Sequence, residues 1–433
     1  MLWVAIPCLA IPTLAIPVLA IPCLAAGADE PPPAPTPAGA PRDAEAARAL
    51  VASITPTVEA IRGLQFKQPV PVEMTDDAGA RGHFEDRMKK DWPDSRSRNE
   101  QEVYVDLGLL PPRTGLKAAL LTALEEQAAG YYDPSRRAFF VLGDMPKGFA
   151  PFIVAHELTH ALDDQYFDID GMVDKAGDDD GRAGGVVSVV EGSGTLVMTI
   201  FIVQEVGAGR LKPEVMEEYQ GSEMGKAEKL KATPQVVKRT LFAPYVLGMN
   251  FLLKGNLTGM PRVSAPKGDL ERAFTDPPVS WEQVLHPEKY WTTGARDLPR
   301  PVAVPNLAST LGNGWALWDE GGVGEMLLAI LTDPKADGFD PATFPQPGRW
   351  TNEAASGWGG DRWQLYRRGD DTVTVLATVW DTEKDAREFR KALPRPLRRT
   401  SLMERDAVVL VAGEAGDRAR AIAREALRRV IQP

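Results

Sequence analysis

With 433 residues, 44% of them hydrophobic and 25% charged, the chain is long enough to bury a large core and to form more than one unit. A formal net charge of −11 argues against nucleic acid or an anionic lipid surface as the main partner, because both select for an excess of Lys and Arg.

Residues 1–28 carry no charge, and Ile-Pro-x-Leu-Ala occurs four times in succession from Ile6 to Ala25. The run ends in Leu24-Ala-Ala-Gly-Ala28, the small residues a signal peptidase needs, so 1–28 reads as a secretory leader and the protein as secreted, periplasmic or held in the cell envelope. Two features depart from that pattern: the n-region lacks Lys and Arg, and four prolines interrupt the apolar stretch. The same prolines disfavour a stable membrane span. Pro22 before Cys23 speaks against lipid attachment there. Both cysteines, Cys8 and Cys23, fall in the leader, so a mature chain has neither a disulfide nor a thiolate ligand. Any metal must then be held by His and carboxylates.

Residues 29–42, dominated by Pro and Ala, read as an extended linker. A helix is expected over 43–61, a strand over Leu64–Met74, a helix running into a loop over Gly79–Asn99, and a compact amphipathic helix over Leu116–Gln127. Ala128–Asp133 and Ala138–Leu142 flank Pro134-Ser-Arg-Arg137, a hairpin signal. That hairpin reads either as a structural element or as a sheet edge where an extended substrate adds as a strand.

Phe152 to Tyr166 has no Gly or Pro and carries His156-Glu-Leu-Thr-His160. Four residues apart on a helix, His156 and His160 share a face and can present two imidazoles to one zinc ion. Glu157 follows as the general base of a zinc peptidase. The chain has four histidines in all, and two are in this motif.

Asp168–Arg182, rich in Asp and Gly, reads as a loop of solvated turns, because no calcium-type closing Glu follows. Gly185–Val206 is too apolar for a surface helix, yet Glu191 stands in it. An isolated carboxylate there needs a basic partner or a metal, which makes Glu191 the preferred third ligand over His83 and His286. Gly192 and Gly194 beside it allow close helix approach.

Pro234–Lys254 reads as a helix kinked or broken at Pro244, and Leu307–Leu331 as holding a helix with a Gly-rich entry. Beyond Trp358 the pattern is strand, strand, helix, strand, strand, helix, ending in a basic helix from Asp417 to Ile431. That order gives an antiparallel sheet carrying two helices. The donor to a developing oxyanion is sought among His286, Tyr245 and Tyr166, with His286 and Tyr245 preferred.

His156-Glu-Leu-Thr-His-Ala-Leu-Asp-Asp164 resembles the active-site helix of thermolysin-like enzymes, and with Glu191 it resembles the gluzincin branch of zinc metallopeptidases. Glu191-Gly-Ser-Gly-Thr195, with the stretches 277–290 and 358–389, looks like secreted bacterial and archaeal proteins with peptidase-MA-like domains and an EGDAT-type motif. The resemblance implies an α+β protein. A zincin-like metallopeptidase domain would span 43–340 and a C-terminal α+β unit 350–433. One zinc ion would be held by His156, His160 and Glu191, with Glu157 as base and a protein or peptide as substrate. Two positions depart from the pattern: Thr195 stands where thermolysin-like enzymes carry an Asp that orients a ligand histidine, and Ser193 replaces the EGDAT-type Asp. Asp164, Ser193 and Thr195 are the candidates to orient the imidazoles instead. An inactive relative that keeps the fold, and a zinc hydrolase acting on other bonds, are the rival expectations.

The leader reading predicts that the intact mass of exported protein corresponds to a start near Asp29. Recovery of residues 1–25 in a membrane fraction would instead identify an anchor.

Overall fold

The computed structural model describes residues 43–430 apart from 144, 146, 147, 178, 219–229, 260, 262, 293, 295 and 334–346. The leader, the linker and both cysteines lie outside the described residues.

The chain opens with α1 (Ala44–Arg62), β1 (Val72–Thr75), α2 (Asp77–Asp91), α3 (Asp94–Leu107) and α4 (Leu116–Gln127). The strand expected from Leu64 shrinks to four residues because Pro69 and Pro71 cannot donate to a ladder. Upstream of it, the Lys67 and Gln68 N–H groups donate to the Gln165 side chain at 2.7 and 3.2 Å. The charged segment 79–99 forms parts of two helices instead of a helix and a loop, with Pro93 as the N-cap of the second.

The hairpin forms as expected, with β2 (Gly130–Asp133) antiparallel to β3 (Ala138–Leu142) and β1 parallel to β3 on its other side. Next come α5 (Ala150–Phe167), α6 (Ile169–Ala176), α7 (Asp180–Gly207) and α8 (Gln235–Leu252). The Asp-rich loop expected over 168–182 is α6 and the start of α7. Its aspartates act as helix N-caps: Asp168 accepts from the Gly171 N–H at 3.3 Å and Asp179 from the Arg182 N–H at 2.9 Å. Of the kink or break expected at Pro244, the break does not occur: α8 runs through it.

Helix α7 is the centre of the core. By length and composition it could cross a bilayer, but its apolar window is wholly buried within the protein. It packs against α5 on one side and α8 on the other. Glycines set the second spacing. A Cβ on Gly248 of α8 would fall 1.9 Å from the Ser188 carbonyl oxygen, and one on Gly192 of α7 would fall 2.4 Å from the Gly248 carbonyl carbon.

After α9 (Lys267–Thr275), α10 (Trp281–Leu285), α11 (Glu288–Trp291) and α12 (Ala308–Leu311) come β4 (Ala316–Gly321) and α13 (Gly324–Thr332). The chain ends with β5 (Trp358–Arg368), β6 (Asp371–Trp380), α14 (Glu383–Ala392), α15 (Arg395–Thr400), β7 (Leu402–Glu404), β8 (Ala407–Gly413) and α16 (Ala419–Val430). These give a five-stranded antiparallel sheet of order β4-β5-β6-β8-β7, so the protein is α+β.

Alternation along the strands splits this sheet between two cores. Val373, Val375, Ala377 and Val379 join Leu307, Leu311, Ile422 and Leu427 on one face. Trp363, Leu365, Leu376 and Trp380 face the main core on the other. The sheet's edge strand β4 and the Leu307 of its second core both precede residue 350 in the chain.

Gly248→Ala should lower stability. Helix propensity would favour Ala by about 0.5–1 kcal/mol, but overpacking typically costs about 1–3 kcal/mol and here the obstacle is backbone. Urea unfolding checks this; an unchanged or higher midpoint would contradict the close-approach argument.

Candidate metal centre

Helix α5 presents His156 and His160 one turn apart, and α7 presents Glu191 to both. His156 Nε2 lies 3.1 Å from Glu191 Oε2 and 2.9 Å from His160 Nε2, and His160 Nε2 lies 3.4 Å from the same carboxylate oxygen. Ligand atoms about 2.1 Å from one zinc ion at tetrahedral angles lie about 3.4 Å apart, so three such atoms fit a common cation. The rings are edge-on to each other, 88° between planes.

Room for this arrangement comes from Gly194. A Cβ there would lie 2.8 Å from His156 Cε1, 2.9 Å from its Nε2 and 2.9 Å from His160 Cε1. The two glycines flanking Ser193 therefore have different tasks: Gly192 admits α8, and Gly194 admits the imidazoles.

The site is nearly dry, with exposures of 0% at His156 and Glu157, 5% at His160 and 2% at Glu191. Glu157 Oε2 accepts the Tyr132 backbone N–H at 2.7 Å, which ties this carboxylate to β2. All four residues of β2, the edge strand of its sheet, are buried, and the strand packs against α5. Burial, and then the neighbouring His160, push His156 down to about 4. Burial opposes a proton on His160 too, but Glu191 above all, with Glu157 and Asp163, outweighs it and raises this group to about 9.

Formal charge points the same way. Glu157, Glu191 and Asp163 are buried around the imidazoles, and Arg62, paired with Asp163 at 2.7 Å, offsets one of them. Buried carboxylates grouped around two imidazoles favour a cation between them.

Of the proposed oxyanion donors, only Tyr245 reaches the centre; its ring stacks on His156 at 5.7 Å and 22°. His286 does not belong there. Its Nε2 lies 2.9 Å from Glu325 Oε1, where it partners a fully buried carboxylate at the start of α13. Tyr166 does not either, being 38% exposed with its hydroxyl on the Gln65 carbonyl. His83, the other alternative ligand, stacks on Tyr131 and faces Asp133 at 3.5 Å.

None of the three residues proposed to orient the imidazoles does so. Asp164 accepts from the Tyr132 hydroxyl and the Ile169 N–H, Ser193 donates to Asp163 at 2.6 Å, and Thr195 Oγ1 has no partner among the described residues. Neither imidazole Nδ1 has one there. Asp163 and Arg62 were the residues missed in the sequence. Asp163 follows His160 by three positions, but Arg62 lies 101 residues from Asp163 and only the fold joins them.

A second acidic group, Glu282, Asp297 and Asp381, already holds the Lys289 ammonium at 2.5, 2.9 and 2.7 Å. That leaves the His156–His160–Glu191 group as the one suited to a metal among the described residues.

Residues 317–431 match the model of a domain of unknown function, DUF8575. The match covers the five-stranded sheet and α16 and includes none of the metal-centre residues. No curated protein and no solved structure matches the chain.

Gly194→Ala is expected to abolish stoichiometric zinc binding while preserving helix content, because its Cβ occupies the space of both imidazoles. Metal analysis with circular dichroism checks this; a variant that still binds one equivalent would contradict the geometry.

Proposed function

We propose that this chain is a gluzincin-type zinc metallopeptidase with a zincin-like catalytic domain, acting outside the cytoplasm on peptide bonds of a protein or peptide. The observation that carries this reading is the convergence of His156, His160 and Glu191 in a buried volume, with Glu157 next in the helix. Zinc held by these three residues supplies Lewis acidity toward water and a scissile carbonyl.

The remaining work falls to the protein. Glu157, one oxygen fixed by the Tyr132 N–H, takes a proton from the attacking water and delivers it to the leaving amine. Tyr245, stacked on His156, is the remaining candidate donor to the developing oxyanion. Burial excludes bulk water and strengthens each of these electrostatic interactions.

A second reading, an inactive envelope protein that keeps the metal, is favoured by one observation: the base and all three ligands are at most 5% exposed. Substitution separates the two. Glu157→Gln should retain zinc but lose about 10²–10⁴-fold in casein turnover, whereas Glu191→Gln should lose the metal as well. Zinc at one equivalent with no turnover of casein or a broad peptide library by the unsubstituted protein would favour the inactive reading. Equal metal loss in both variants would contradict the role given to Glu157.

A further inference from the structure

The buried pair of Asp163 and Arg62 is not explained by peptide chemistry, and its cost has to be justified. Both side chains are fully buried, and the pair shares a single hydrogen bond, Arg62 Nε to Asp163 Oδ1. Among the described residues neither Arg62 Nη1 nor Nη2 has a hydrogen-bond partner; the guanidinium lies against the stacked Phe167 and Phe274 rings, 5.9 and 5.6 Å from their centroids. An ion pair this poorly satisfied stabilises a fold less than apolar side chains of the same volume would.

Its position suggests what it serves. Asp163 follows His156 by seven residues and His160 by three, so it extends the same face of α5 by one turn. Its second oxygen accepts from Ser193 Oγ at 2.6 Å, and Ser193 stands two residues after Glu191 on α7. The carboxylate thus ties the ligand helix that carries the two histidines to the one that carries the glutamate, one turn from where His160 meets Glu191. Arg62, the last residue of α1 before Gly63 turns into the left-handed region (φ 70°), holds it from the third side.

We infer that Asp163, clamped between Arg62 and Ser193, is a positioning residue for the metal centre, fixing the α5–α7 register at which His160 and Glu191 share one cation. What matters is a carboxylate at this point, opposite Arg62 and bonded to the facing helix; the helix that supplies it is immaterial. This inference rests on the proposed metal site and adds to it a residue that touches neither metal nor substrate.

Three full-length proteins test it: the unsubstituted chain, Ser193→Ala, and the exchange Asp163→Ser with Ser193→Asp. The exchange avoids stranding Arg62 without a counter-ion. Zinc affinity is read by competition with a chelator, and ligand geometry from the visible absorption of the cobalt-substituted protein. Ser193→Ala should weaken zinc by about 10–100-fold and alter the cobalt spectrum, and the exchange should restore both. A purely structural clamp would instead lower the melting temperature of Ser193→Ala while leaving zinc affinity and cobalt spectrum unchanged, and that result overturns the inference. An exchange variant that folds but stays weak overturns it too; if the exchange does not fold, Ser193→Ala alone decides. Failure of the unsubstituted chain to bind zinc would sink the metal reading itself, and so is distinguishable from failure of the clamp.

Discussion

The approach of α7 to its neighbours is the constraint on which the rest of the molecule depends. A 28-residue helix buried on every side can bring a carboxylate to two imidazoles only if its backbone comes close to theirs. Gly194 makes that contact possible with α5, and Gly192 against Gly248 makes it possible with α8. Each glycine in a helix interior costs about 0.5–1 kcal/mol relative to Ala, so three of them at contacts mark where proximity outweighs propensity.

Close packing then sets the electrostatics. Once α5 and α7 meet, Glu157, Glu191 and Asp163 share a volume from which water is excluded, and Coulomb interactions there are several-fold stronger than at the surface. Burial, with the neighbouring His160, drives His156 toward its neutral form, whereas at His160 burial is outweighed by Glu191 and its neighbouring carboxylates, which favour the charged form. The β2 strand donates a backbone N–H to Glu157, which joins the strand to the helix that carries both histidines.

Much of this was legible in the sequence wherever local pattern and burial agree. The HExxH spacing placed two histidines on one helical face, and the apolar run around Glu191 marked a carboxylate in need of a positive partner. Alternation beyond Trp358 gave the antiparallel sheet, while its edge strand β4 was missed because Ala316–Gly321 reads as a Gly-rich approach to a helix. The His286 reading failed for an instructive reason. Glu325, like Glu191, is a buried Glu in an apolar helix, and His286 turned out to answer its charge. Sequence marked only Glu191 as a carboxylate in need of a partner, and only the fold shows that it meets two histidines while Glu325 meets one. The aspartates around 168–182 were misread as solvated turns because a capping Asp and a turn Asp look alike until the following helix is seen.

The central claim is that a divalent cation belongs between α5 and α7. The most direct measurement is anomalous diffraction across the zinc edge from crystals of the protein grown with zinc. The account predicts a single strong peak bounded by His156 Nε2, His160 Nε2 and a Glu191 carboxylate oxygen. Absence of a peak there, or a peak only among Glu282, Asp297 and Asp381, would contradict it.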